Sequence, residues 1–329
     1  MASTKRLVRY NKGKFIGNKG DGVSVHIFGV SDGLLKRDHE LMCLWKKLIA
    51  ELSSTPITDD YCVNLTLERV VDDGVVATTL LDAIKTLHRP RLLLKITPYG
   101  ALFASKALEI NPTVQQLAID GGDESAPLEL KRDVEDLVKA VINHPTLEML
   151  SIANCDLSRK PIIKTLVPVL YHIEEVRFIG AGVGYRCNSY GPKLIATILK
   201  RNPRVKALSL DFNALEDKDA FRLAKALKTN TTLRKLSLGF NELTVAGMSA
   251  LVVAMIGDTS FNSIHDANHH CFIDLLSASK LNMFDDPEQN RRLKIFSKIS
   301  SNIGRLGDAV PTGAKIVDHP SRTRNCRER

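Results

Sequence analysis

The sequence predicts an α/β fold: a right-handed solenoid of strand–helix units, with strands lining the inside of a curve and helices outside. Three observations carry that expectation. Residues 202–257 are two stretches of 28 residues set end to end, identical at nine positions, among them Leu208/Leu236, Leu210/Leu238, Phe212/Phe240 and Asn213/Asn241. Self-similarity at a fixed period of this length marks stacked repeats. Leu208 and Leu210 alternate with Ala207 and Ser209, which puts both leucines on one face of a short strand. Ala220, Leu223, Ala224 and Leu227 then follow at helical spacing, as do Met248, Leu251, Val252 and Met255 in the next unit. One such unit is too small to bury its own leucines and needs neighbours on both sides.

Taken in order, residues 1–22 form a basic N-terminal arm or first cap. They hold Lys5, Arg6, Arg9, Lys12, Lys14 and Lys19, with Tyr10 and Phe15 between them. Val23, Val25 and Ile27 alternate as a strand, and Leu41, Leu44, Trp45 and Leu48 share a helical face. Val63, Leu65 and Leu67 read as a strand, and Val76, Leu80, Leu81 and Ile84 as a helical stripe. Leu92, Leu94 and Ile96 give another strand, followed by a helix over 101–110. The leucine pattern is degenerate across 23–110, as terminal repeats commonly are, and the segment reads as irregular repeats or a cap.

Residues 111–270 carry the regular array. Val114, Leu117 and Ile119 open a unit whose helix holds Val134, Leu137, Val138 and Val141. Leu147, Leu150, Ile152, Cys155 and Leu157 open the next, with Ile163, Leu166, Val167 and Leu170 behind them. Ile173, Val176 and Phe178 follow, with Ala181 where Asn or Cys is expected. The 28-residue period carried past Leu236 predicts a last strand at 261–267. Leu293, Phe296 and Ile299 place a capping helix within 271–307, and 308–329 reads as a disordered basic tail.

These residues resemble the leucine-rich repeat family. Val205-x-x-Leu208-x-Leu210-x-x-Asn213-x-Leu215 and Leu233-x-x-Leu236-x-Leu238-x-x-Asn241-x-Leu243 match its L-x-x-L-x-L-x-x-N/C-x-L core. The period, with a full helix per unit, is similar to the ribonuclease-inhibitor-like subtype. The resemblance implies a curved horseshoe that recognises other proteins, in a family that includes inhibitors, innate-immune receptors and GTPase activators. An Asn at the end of each strand also has a physical role: it can satisfy backbone groups where the chain turns, and an apolar residue could not.

Composition narrows the function. Of the net charge of +9, residues 1–22 contribute +5 and residues 308–329 contribute +2, leaving +2 for the 285 residues between. The body therefore has no electrostatic preference for nucleic acid; only the ends could bind a nucleic acid or an acidic surface. No apolar run approaches the roughly 20 residues of a membrane span. The start lacks an apolar leader segment, so a soluble protein of the cytoplasm, or of the nucleus, is expected. The six scattered cysteines form no C-x-x-C pair and read as reduced structural thiols.

No catalytic constellation emerges, and no cofactor or metal is expected. Gly180, Gly182 and Gly184 fall one position short of a dinucleotide fingerprint and read as a repeat loop lengthened through residue 191. His265, His269, His270 and Cys271 fit no zinc spacing and fall in the expected final strand and its turn. Glu174 and Glu175 point to opposite faces of a strand and make a poor catalytic pair.

The site that the architecture offers is the concave strand face. Met149 and Ser151, Glu175 and Arg177, Ser209, and Lys235 and Ser237 stand between the core leucines of successive strands. Asp211, Phe212 and Phe240 lie just past the strands. The two Phe residues either pack between units or anchor a partner. The expected function is a non-enzymatic protein–protein interaction module that binds its partner here. A GTPase regulator of the same repeat type, and a nucleic-acid or acidic-surface binder acting through the basic ends, are the alternatives.

Overall fold

The computed structural model describes residues 8–14, 21–28, 62–68, 75–87, 91–96, 101–121, 131–181, 190–256 and 271–274, with single positions at 47, 50, 183 and 268. One ten-stranded sheet runs through them in unbroken chain order. Its strands are β1 (Val8–Lys14), β2 (Asp21–Phe28), β3 (Cys62–Glu68), β4 (Arg91–Ile96), β5 (Val114–Asp120), β6 (Met149–Ala153), β7 (Glu175–Ile179), β8 (Ala207–Ser209), β9 (Lys235–Ser237) and β10 (Phe272–Asp274). β1 pairs antiparallel with β2, and every later pair is parallel. A parallel pair needs a crossover connection. Here the helices supply it: α1 (Val75–Thr86), α2 (Ala101–Ile110), α3 (Lys131–Asn143), α4 (Lys160–Leu166), α5 (Tyr190–Leu199), α6 (Asp217–Leu227) and α7 (Val245–Ile256). A 3₁₀ turn, Val167–Tyr171, extends α4. Each helix packs against the next, and the strand order never reverses, so the molecule is a solenoid.

The core follows the leucine pattern. Leu67, Ile96, Ile119, Ile152 and Phe178 are paired in register across five strands. Leu117, Leu150, Val176, Leu208 and Leu236 form a second row, ending on Ile273. From Leu117 onward all these residues are buried, packed against Leu137, Leu166, Ile195, Leu223 and Leu251 from the helices. Truncating one of these leucines to Ala costs about 2–5 kcal/mol, because the neighbouring layers cannot close over the hole.

Asparagines tie the repeats together at the strand ends. Asn213 is fully buried; its Oδ1 accepts the backbone N–H of Ala181 and of Val183, both at 3.1 Å. Its Nδ2 donates to the carbonyls of Phe178 and Asp211. Asn241 does the same one unit on, accepting from Asn213 and Leu215 and donating to Leu210 and Leu238. Cys155 stands in this column and donates its thiol to the Ala153 carbonyl at 3.3 Å. Burial pushes its thiol up to about 12, which keeps it protonated and unreactive.

A second set works at the helix ends. Asn111 Nδ2 donates to Ile84 and Leu87, Asn230 to Leu199, and Asn268 to Leu227 and Asn230. These carbonyls close the preceding helices and have no intrahelical partner of their own. His144 takes this role between Asn111 and Asn202: its Nε2 donates to the Asn111 carbonyl at 2.9 Å.

Three expectations are corrected. The last strand is Phe272–Asp274, not 261–267; Ile273, not Ile264, pairs with Leu236. The final connection is thus nine residues longer than the period, and the array runs beyond residue 270. Part of the basic N-terminal arm is a strand, β1, closing the sheet against β2. Finally, the stretch read as one helix over 160–170 changes to a 3₁₀ turn at Val167, with Pro168 just inside it. The helical stripe at 41–48, the loop residues Gly182 and 184–189, the capping stripe at 293–299 and the tail at 308–329 lie outside the described residues.

Candidate partner-binding face

Helices cover one side of the sheet, and the side chains between the core leucines line the other. Register sets them in two rows: Met149, Glu175, Ala207 and Lys235, then Ser151, Arg177, Ser209 and Ser237. The structure therefore brings the sequence-predicted residues together on one face. It does not make them equivalent.

Met149 and Asp211 are corrections, since both are too covered to offer a partner much surface. Met149 is 7% exposed. Asp211 is 8% exposed and serves the strand ends: it accepts from Ser209 Oγ at 2.9 Å, from Ser237 Oγ at 2.7 Å and from the Gly239 N–H at 2.7 Å. Ser209 and Ser237 are thereby spent on Asp211. Desolvation raises the Asp211 carboxyl above its ordinary value, and these three donors pull it part of the way back. Glu175 and Arg177, two residues apart on β7, satisfy each other, with Arg177 Nε donating at 2.6 Å and its Nη2 reaching the same oxygen. Lys206 at 2.9 Å and Arg204 at 3.6 Å bind Glu174 at the strand entry. The Lys206 hydrogen bond leads in holding the Glu174 carboxyl below its usual value.

Phe212 and Phe240 form the most distinctive feature. Their rings stack with centroids 4.1 Å apart and planes 9° from parallel. Both residues are left-handed, with φ of 58° and 56°, a backbone that costs a non-glycine residue roughly 1–2 kcal/mol. The same turn recurs one and two units earlier, at Gly180 (φ 58°) and Asn154 (φ 54°). The fold thus fixes the turn, and the sequence chooses what stands on it. Phe240 is half-buried under the stack, whereas Phe212 is 44% exposed. The open question of packing or contact resolves into both: the rings pack on each other, and one remains presented.

Sequence reasoning missed Asn154 and Gly180 as members of this column. The signal was their position one residue before Cys155 and Ala181, as Phe212 precedes Asn213. Of the His265, His269, His270 and Cys271 group, only Cys271 is described. It is buried ahead of β10, with a thiol pushed up by desolvation to about 12. Among the described residues no three His, Cys, Asp or Glu side chains gather as metal ligands. No described helix is long and apolar enough to cross a membrane.

Comparison with known proteins agrees with the repeat reading. Residues 229–252 match the family model described as Leucine Rich repeat. No curated protein matches the sequence. Among solved structures, a Bacteroides fragilis protein is 12% identical with a TM-score of 0.40 over 62% of this chain, and the match spans 66% of that protein's length. A likeness that loose carries no argument here. The matched segment holds Leu233, Leu236, Leu238, Asn241 and Leu243, the strand and turn of one unit in a solenoid whose neighbours repeat the same strand, asparagine turn and helix. The chain is a leucine-rich repeat protein.

Proposed function

We propose that the chain is a non-enzymatic binding module that takes a partner protein on the open strand face. The observation that carries this reading is the exposed Phe212 ring, held by its stack on Phe240 beside a row of half-buried polar side chains. Rigid aromatics ringed by polar groups are the usual anchors of protein interfaces. The 28-residue unit with a full helix supports placement in the ribonuclease-inhibitor-like subtype. The charges of the face are internally paired, which favours shape and aromatic contact over electrostatic capture. The test is cross-linked capture from cell extract with three forms of the full chain. Phe212→Ala with Arg177→Glu alters the strand face. Phe221→Ala alters the helix side, where Phe221 is 49% exposed on α6. The first should lose the partners that wild type retains, and the second should keep them; the reverse pattern would move the site to the helices.

A further inference from the structure

The left-handed column holds a gap. Phe240 and Phe212 fill two consecutive positions, Gly180 leaves the next without a side chain, and Asn154 fills the fourth. Adjacent strands lie about 4.8 Å apart, so the Phe212 and Asn154 turns stand roughly 9.6 Å apart across Gly180. A flat group needs about 3.5 Å on each side. One planar group fits, lying on the face of Phe212 turned away from Phe240.

The walls say which planar group. Asn154 Nδ2 donates to Asp120 Oδ1 at 2.9 Å, which turns Asn154 Oδ1 toward Gly180; a Cβ placed on Gly180 would meet that oxygen at 2.9 Å. The slot therefore has a π face on one side and an acceptor on the other, with the Asp120 carboxylate behind it. A phenyl ring would leave the acceptor without a donor, and a carboxylate would meet acceptor and carboxylate together. Guanidinium is flat, cationic and edged with N–H donors, and it stacks on aromatic faces. We infer that the slot over Gly180, between Phe212 and Asn154, receives an arginine side chain of the partner. This deepens the strand-face reading and rests on it.

The test pans a random-peptide display library on the full chain and measures the selected peptides against variants. Arginine should be enriched, and replacing it with lysine should weaken binding about fivefold or more. Phe212→Leu should weaken the same peptides by a similar factor, while Phe212→Tyr keeps the ring and the binding. Asn154→Gly, which suits the left-handed turn and lacks the acceptor, should also weaken them. Retained thermal unfolding shows that each variant is folded. Selected peptides that depend on Phe212 but carry tryptophan or acidic residues in place of arginine would overturn the slot assignment and leave the strand-face reading standing. Peptides indifferent to Phe212, Asn154 and Arg177 alike would overturn both. A selection that enriches nothing would overturn the slot.

Discussion

The side-chain oxygen of Asn241 receives the backbone N–H of Asn213, 2.9 Å away and exactly one period earlier in the chain. Asn213 in turn receives Ala181 and Val183. The solenoid is thus held by a polar ladder as well as by its leucines, and the rungs differ in burial. Asn213 is fully buried and makes four hydrogen bonds to backbone groups, whereas Asn241 is half-buried. Asn213→Leu should destabilise by about 3 kcal/mol or more, since it strands backbone donors and acceptors away from water. Asn241→Leu should cost less. Urea midpoints of the two variants check the order.

Phe212 opposes two local energies. Its left-handed backbone costs roughly 1–2 kcal/mol, and its stack on Phe240 returns about 0.5–1.5 kcal/mol beyond area burial. Phe212→Ala keeps the strained backbone and loses the ring. Phe212→Gly loses the ring and the strain together. The glycine variant should therefore be the more stable by about 1 kcal/mol, measured by chemical denaturation, although glycine is ordinarily the more costly residue. An alanine variant equal to or more stable than the glycine one would mean that the turn is not strained.

Two groups should give stability opposite dependences on pH. Burial raises the Asp211 carboxyl, so folding favours its protonated form. That contribution is complete below the ordinary carboxylate range and is lost as pH rises through the folded value. Burial lowers His144, with its bond to the Asn111 carbonyl opposing, so folding favours the neutral ring. That contribution is present above the ordinary histidine range and is lost as pH falls through the folded value. Protonation would also abolish the acceptor that His144 Nδ1 offers the Thr146 N–H at 3.3 Å. Asp211→Asn should gain on wild type as pH rises from 3.5 to 7. His144→Asn, which installs the residue used at 111 and 230, should gain as pH falls from 7 to 5. Denaturant midpoints across that range check both.

Gly247 sits in the first turn of α7, where alanine would normally add up to about 1 kcal/mol of helix stability. Here a Cβ would meet Asp217 Oδ1 at 2.4 Å and the Asp217 Cα at 3.1 Å. Asp217 is already committed, accepting the Thr244 N–H at 2.8 Å and its hydroxyl. Gly247→Ala should therefore destabilise by about 1–3 kcal/mol, the range for overpacking, and Gly247→Val by more. Thermal unfolding measures it, and a stabilised alanine variant would show that α6 and α7 are not packed this closely.

The leucine-bearing strands were legible because burial has period two and admits little else. Leu67, Ile96, Ile119, Ile152 and Phe178, picked from the pattern as equivalent positions, are in register in the sheet. The last strand was not legible by counting, because a longer connection shifts it without changing how it pairs. Its mark was Asn268 with Cys271 three residues on, as Asn230 stands three before Leu233. The face was legible as a set of outward positions, but not as a surface. Alternation places Met149 and Asp211 outward, yet only three-dimensional packing covers the first and gathers two serines and an amide around the second. The Phe pair was visible as a repeat, while the gap beside it required knowing that Gly180 and Asn154 adopt the same turn.

The direction of the asparagine ladder bears on how the chain matures. Asn241 serves the backbone of the unit before it, Asn213 serves the unit before that, and the carbonyls ending α5 and α6 wait for Asn230 and Asn268. As the polypeptide leaves the ribosome, a newly emerged repeat has its leucines but not the groups that close its turn, and these arrive only with the next repeat. Ordering should trail synthesis by about one unit, and a chain stalled between units should present the protease with a frayed trailing edge.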